Sequence, residues 1–199
     1  MNMAKLNFRS LLLIIVAFLT LQMNAQKEGK EIKLKTIKYE MVVNVTTQKA
    51  WDVLNSYGDI GSFHAGLESS SAINGSPNIA QMDCERICYI PRTKNKKIMV
   101  KEKIIDYSEG NYYTYDVYEW ENFPLKKMNN TFGVKTNAQG ETVIYQVTNF
   151  RLKPGFLTGM MKGKLRRGAR TTLMGYKRYM ETGDKRIDIK ELKKQYKSF

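Results

Sequence analysis

Few side chains in this 199-residue chain have both the type and the setting to do chemistry. His64 is the only histidine. Glu102 sits in the run Met99-Val100-Lys101-Glu102-Lys103-Ile104. Read as a strand, that run puts Met99, Lys101 and Lys103 on one, wet face and turns Val100, Glu102 and Ile104 inward. An acid among apolar neighbours needs a partner. One reading is an ion pair with Arg86 on the adjacent strand. The other is a ligand polar group, held directly or through water, or a proton taken as general base, a role that burial favours by raising the carboxyl pKa. His64 suits a ligand hydrogen bond or proton transfer near neutral pH. Glu102 and His64 together would make an acid–base pair, yet no nucleophile with a companion base can be read.

Cys84 and Cys88 are the only cysteines. Four residues of strand span roughly 13 Å, and a disulfide needs Cα atoms within about 7 Å. On one strand the two cannot pair, and they read as small buried side chains. With one histidine and no CxxC, a zinc site has little support, and neither metal nor cofactor is expected. Twelve tyrosines include the cluster Tyr112, Tyr113, Tyr115 and Tyr118. Inward ones would give either an amphipathic wall with hydroxyl handles or plain core packing.

These residues need elements to position them. Gln26 to Lys35 is a polar lead-in. Thr36–Val45 reads as a strand. Thr46 is a plausible N-cap for a short helix over Gln48–Tyr57, broken by Gly58 and Gly61. Phe63–Leu67 is a turn. Six strands follow: Ser69–Ile73, ending at the turn signal Asn74-Gly75; Ala80–Ile90, stopped by Pro91 and the basic loop Arg92 to Lys97; Ile98–Tyr107; Tyr112–Trp120; Lys126–Lys135; and Thr142–Leu152. Even turn spacing implies an antiparallel meander. After Pro154-Gly155 a long helix spans Leu157–Thr182, with Met161, Leu165, Ala169, Thr172, Tyr176 and Met180 on one side. Lys162, Arg166, Arg167, Arg170, Lys177 and Arg178 take its other faces. Its four glycines lower helix propensity by up to about 1 kcal/mol each, so it needs tertiary support or a close approach to something. Gly183 is a good C-cap. Asp184–Phe199 is a charged tail with room for one short helix. Strand alternation turns Tyr113, Tyr115, Met128, Asn130, Phe132, Gln146, Thr148 and Phe150 inward.

Composition and the N-terminus bound the location. The 42% apolar and 26% charged content excludes collagen, coiled coil and wholesale disorder. Lys5 and Arg9 precede the apolar run Leu11–Leu21, which Gln22, Asn24 and Ala25 follow. This pattern reads as a secretory signal over residues 1–25, cut near Ala25. The run is short of the about 20 residues that a span requires, and an uncleaved N-terminal anchor is the other reading. Thirty-three Lys and Arg against 19 Asp and Glu give a formal charge of +14. A basic face suits phosphate or an anionic membrane surface. Export and the lack of a recognition motif argue against nucleic acid.

The order strand, short helix, six strands, long helix is that of the α+β helix-grip fold, a curved antiparallel sheet wrapped around a C-terminal helix. Particular residues carry a resemblance as well: Ala50-Trp51-Asp52-Val53-Leu54, Tyr57-Gly58-Asp59-Ile60, Phe63-His64-Ala65-Gly66-Leu67, Lys101 to Asp106, Tyr113 to Val117 and Phe123-Pro124-Leu125. They resemble the SRPBCC (START-like) superfamily, closest to its polyketide cyclase/dehydrase-type branch, with Ala65 where the branch carries proline. The resemblance covers roughly residues 38–182 within an expected domain of 36–183. It implies a cavity between sheet and long helix. It turns Cys84, Arg86, Cys88 and Ile90 inward, sets an inward Glu at Glu102, and puts His64 at the cavity mouth.

The resulting expectation is an exported protein that holds a small hydrophobic or amphipathic, lipid-like molecule. Its ligand-binding residues would be His64, Arg86, Glu102, Tyr113, Tyr115, Met128, Asn130, Phe132, Gln146, Phe150, Met161 and Leu165. The alternative is a cyclase- or dehydrase-like enzyme using Glu102 and His64. A third reading docks the basic helix face on a membrane.

Overall fold

A computed structural model describes residues 32–93, 96–185 and 188–196. The expected signal segment lies outside them, as does most of the lead-in. The elements run β1 (Lys35–Val43), α1 (Thr47–Leu54), β2 (Ser69–Ile73), β3 (Glu85–Thr93), β4 (Lys96–Ser108), β5 (Tyr112–Glu121), β6 (Leu125–Thr136), β7 (Thr142–Leu152), α2 (Leu157–Thr182) and α3 (Ile189–Gln195). From Leu34 onward they form one compact unit. All seven strands join one antiparallel sheet in the order β1-β7-β6-β5-β4-β3-β2. The meander therefore runs unbroken from β2 to β7, and the first strand adds itself beside the last. The long helix α2 lies against β1 and β7, with α1 on β6 and β7 and α3 on α2. This is the helix-grip arrangement.

Local chemistry explains most boundaries. Thr46 Oγ1 accepts from the Lys49 amide at 3.2 Å, the expected N-cap of α1, a contact typically worth about 1 kcal/mol. Asn74 and Gly75 have φ of 55° and 74°, the left-handed pair of a type I′ turn. Gly183 ends α2 at φ 74°. In the tail, Asp188 caps α3 through the Lys190 amide.

Several expectations need correction. α1 stops at Leu54 rather than Tyr57, which lets Tyr57 turn into the core. Residues 80–84 are not strand; β3 starts at Glu85, so Cys84 precedes it. Both cysteines are buried and free. β3 also continues past Pro91 to Thr93, and β4 starts at Lys96, so both ends of the anticipated basic loop are strand, and its middle, residues 94–95, lies outside the described residues. Proline is tolerated there because the pairing is irregular between Pro91 and Thr93. On β4, Lys101 and Lys103 are half-buried and Val100, Glu102 and Ile104 buried, as expected, but Met99 is buried rather than wet. A register shift between Lys101 and Glu102 breaks the simple alternation. Lys177 does not lie on a solvated face either: it is buried, its Nζ donating to the Val42 carbonyl at 2.9 Å and to Glu181 Oε1 at 2.6 Å.

Candidate functional site

Arg86 is 2% exposed in the middle of β3, and its register partner on β4 is Glu102, 6% exposed. The expected ion pair is made. Arg86 Nε donates to Glu102 Oε2 at 2.5 Å, and Nη1 donates to the Tyr57 carbonyl at 2.8 Å. The guanidinium carbon sits 4.1 Å from the Tyr57 ring centre and 4.8 Å from that of Tyr115. The cation thus lies over two aromatic faces, whose quadrupoles replace part of its lost hydration. Cys88, next on the same face of β3, points its Sγ at the same Glu102 oxygen from 3.9 Å.

Burial governs ionisation here. It pushes the Glu102 carboxyl above the usual carboxylate range, with Arg86 pulling the other way. Burial also opposes the Arg86 charge, but Glu102 leads the groups that outweigh it, and the guanidinium stays firmly protonated. The Cys88 thiol is pushed up to about 12, chiefly by desolvation. Tyr113 is likewise pushed up to about 12 by burial, against Arg86, and burial carries Tyr57, Tyr115 and Tyr176 higher still. Near neutral pH these phenols are hydrogen-bond donors and not phenolates.

A continuous chain of rings runs between sheet and helix. Trp51 on α1 lies 6.5 Å from Tyr113, Tyr113 lies 5.9 Å from Phe132, and Phe132 lies 5.8 Å from Tyr176 on α2. Tyr176 packs edge-on against Phe63 at 5.1 Å, and Phe63 stacks on Tyr179 at 4.5 Å. Packing of this kind costs nothing where only ring atoms are buried. The polar tips are another matter. The hydroxyls of Tyr57, Tyr113 and Tyr176 and the Trp51 indole N–H are all buried without a hydrogen-bond partner among the described residues. Tyr113 and Tyr176 are close enough to perturb each other's ionisation. Such orphans are uncommon and each costs about 1–3 kcal/mol.

A second polar group lies on β6 and β7, on the far side of β5. Thr148 Oγ1 donates to Asn130 Oδ1 at 2.5 Å, and Gln146 Nε2 lies within 3.3 Å of both partners. Gln146 Oε1 is left as a buried acceptor without a donor among the described residues. Register places Asn130 directly beside Tyr115, and Gln146 beside Phe132. The two polar groups therefore share one interior.

His64 belongs to a loop that the long helix touches. A Cβ on Gly175 would lie 2.9 Å from the Phe63 carbonyl and 3.1 Å from the Ala65 amide, so only glycine permits this close approach. It is the approach that the helix glycines called for. His64 packs edge-on to Tyr176 at 6.1 Å. Its Nδ1 accepts from the Gly66 amide at 3.1 Å, which leaves the ring proton on Nε2.

Of the twelve anticipated ligand residues, Arg86, Glu102, Tyr113, Tyr115, Asn130, Phe132, Gln146 and Phe150 are buried in the interior. Met128 on β6 and Met161 and Leu165 in the first half of α2 are half-buried and packed against the core, and His64 is half-buried beside Tyr176. Tyr57, Trp51 and Tyr176 belong with them and were not anticipated as site residues. Tyr57 lies beyond its helix, where periodicity is silent; Tyr176 sat on the predicted inner face, read only as packing. A groove of about 450 Å³ opens elsewhere, beside Glu40, Val42, Lys135 and Asn137, and none of the anticipated residues lines it.

Comparison with known proteins agrees with this architecture. Residues 35–181 match the family model described as polyketide cyclase / dehydrase and lipid transport. Among solved structures, the ZhuI aromatase/cyclase from Streptomyces superimposes with a TM-score of 0.61 at 11% identity, covering 75% of this chain and 98% of that one. Ara h 8.0201 gives 0.54 at 17% identity, covering 74% and 97%. A Nitrosospira multiformis protein gives 0.57 at 11% identity, covering 75% and 98%. At these identities the likeness is one of fold alone. No curated protein matches the chain.

Proposed function

The chain belongs to the polyketide cyclase / dehydrase and lipid transport family, and from that premise we propose that it is an exported binder of a small amphipathic, lipid-like molecule. One observation carries the reading. Three phenol hydroxyls and an indole N–H are buried without a hydrogen-bond partner among the described residues, and all three phenols, of Tyr57, Tyr113 and Tyr176, feel the Arg86 charge. A ligand oxygen, as carbonyl or carboxylate, would satisfy them, and its apolar part would lie along Phe132, Phe150, Met128, Met161 and Leu165. Gln146 Oε1 would take a ligand hydroxyl. Admission would come from the half-buried side, where displacing Met161 and Leu165 costs less than displacing a fully packed ring. An exported binder exchanges its cargo with a membrane, and the basic charge of the chain favours an anionic one.

The acid–base alternative finds less support. Glu102 Oε2 is engaged by Arg86 and His64 Nδ1 by the Gly66 amide, so one of the two polar atoms of each side chain already holds a structural hydrogen bond. Binding is the better use of this interior.

Gentle native mass spectrometry of residues 26–199, with solvent extraction, tests the proposal. The expected result is a stoichiometric apolar adduct bearing oxygen, much reduced in Tyr113→Phe/Tyr176→Phe. A clean apo mass together with a more stable double variant would overturn it, since the hydroxyls would then be mere unpaired groups.

A further inference from the structure

The two most exposed large apolar side chains among the described residues are Phe156, at 67%, and Met160, at 72%. They stand one turn apart at the start of α2. Phe156, Met160, Lys164 and Arg167 follow one another at helical steps and share one outward face. Met161 and Leu165, one position further round, face the sheet and are half-buried. Among the described residues, a Cβ added at Gly159 or Gly168 beside this face would meet nothing within 4 Å.

The charge around this pair has one sign. No Asp or Glu occurs between Glu141 and Glu181, while that stretch holds Arg151, Lys153, Lys162, Lys164, Arg166 and Arg167. Among the described residues, Lys153, Lys162, Lys164, Arg166 and Arg167 make no ion pair. The other dense basic segment behaves differently. Lys97 pairs with Glu68, and Arg92 donates to the Asn122 carbonyl.

Unpaired cations ringing two protruding apolar side chains are what an anionic lipid surface complements: phosphates meet the cations, and acyl chains take the apolar tips. We infer that the first half of α2, from Phe156 to Arg167, docks this protein on anionic bilayers, with Phe156 and Met160 inserted and the flanking Lys and Arg on the headgroups. This rests on the membrane half of the reading above and not on the cargo. It also sets the docked face over Met161 and Leu165, the side from which a ligand would be admitted.

Co-sedimentation of residues 26–199, whose compact unit begins at Leu34, tests it on phosphatidylcholine vesicles with and without phosphatidylglycerol. Binding is expected on the anionic vesicles only, weakening as salt rises. Phe156→Ser/Met160→Ser and Lys164→Glu/Arg167→Glu should each lower affinity by at least about tenfold, with unchanged melting, because all four side chains are exposed. Equal retention on neutral vesicles would overturn the inference. So would anionic binding indifferent to both double variants, or failure to bind vesicles while binding single-stranded RNA. Intact cargo with lost docking would sink this inference alone; docking by a protein that carries no cargo would sink only the cargo.

Discussion

Arg86 and Glu102 are two buried charges, each tolerable only because of the other. Removing one leaves its partner uncompensated in a low-dielectric interior, which typically costs about 3–5 kcal/mol. Glu102→Gln should therefore destabilise the fold by about that amount in urea titration. The paired change Arg86→Met/Glu102→Leu should recover most of the loss, since an apolar pair of similar volume owes no desolvation. If Glu102→Gln leaves stability untouched, Glu102 is neutral in the folded protein. The Glu102 half of this pair was legible because lysines on either side of it forced it inward, while the inward direction of Arg86 came from the family resemblance. The tyrosine hydroxyls were not legible as orphans: alternation tells which way a side chain points, never whether its last atom finds a partner. Met99 and Lys177 escaped for related reasons. One sits beside a register shift, and the other finds a carbonyl on β1 that no pattern within its own helix could announce.

Two glycines on α2 separate propensity from packing. Gly168 faces open space, and Gly175 is pressed against the Phe63 carbonyl. Gly168→Ala should stabilise the protein by up to about 1 kcal/mol, as helix propensity alone dictates. Gly175→Ala should destabilise it by about 1–3 kcal/mol, because the added methyl meets backbone that cannot easily yield. Thermal melts of the two variants should move in opposite directions; movement in the same direction would mean that the Phe63–Ala65 loop does not hold its place against the helix. The bounds of β2, β7 and α2 could be read directly, each being closed by a turn or cap of known chemistry. Those of β3 could not. Proline reads as a stop, and only the irregular pairing beside it lets the strand continue.

At the scale of the whole molecule, the family match ends at residue 181, yet the chain packs beyond it. Leu192 on α3 is buried against the core, and Arg170 on α2 donates to the Tyr196 carbonyl at 3.2 Å. Residues 188–196 are thus a part of the folded body. Leu192→Ala should cost about 2 kcal/mol or more in denaturant unfolding; a loss near zero would mean that α3 is not seated. The sequence allowed a short helix here but gave no reason for it to dock, because one leucine among lysines does not make a face.

The order of the sheet also fixes an order in time. Thr36 on β1 donates its hydroxyl to Asn149 on β7, 113 residues later, and the helix that covers β1 comes later still. As synthesis proceeds from the N-terminus, the first strand made is the last to find its neighbours, and closing so long a loop brings no contacts until it is complete. Until the end of β7 has been made, the growing chain holds a meander without its edge strand and without its covering helix. Whatever handles the nascent chain therefore meets it open for nearly the whole of its synthesis.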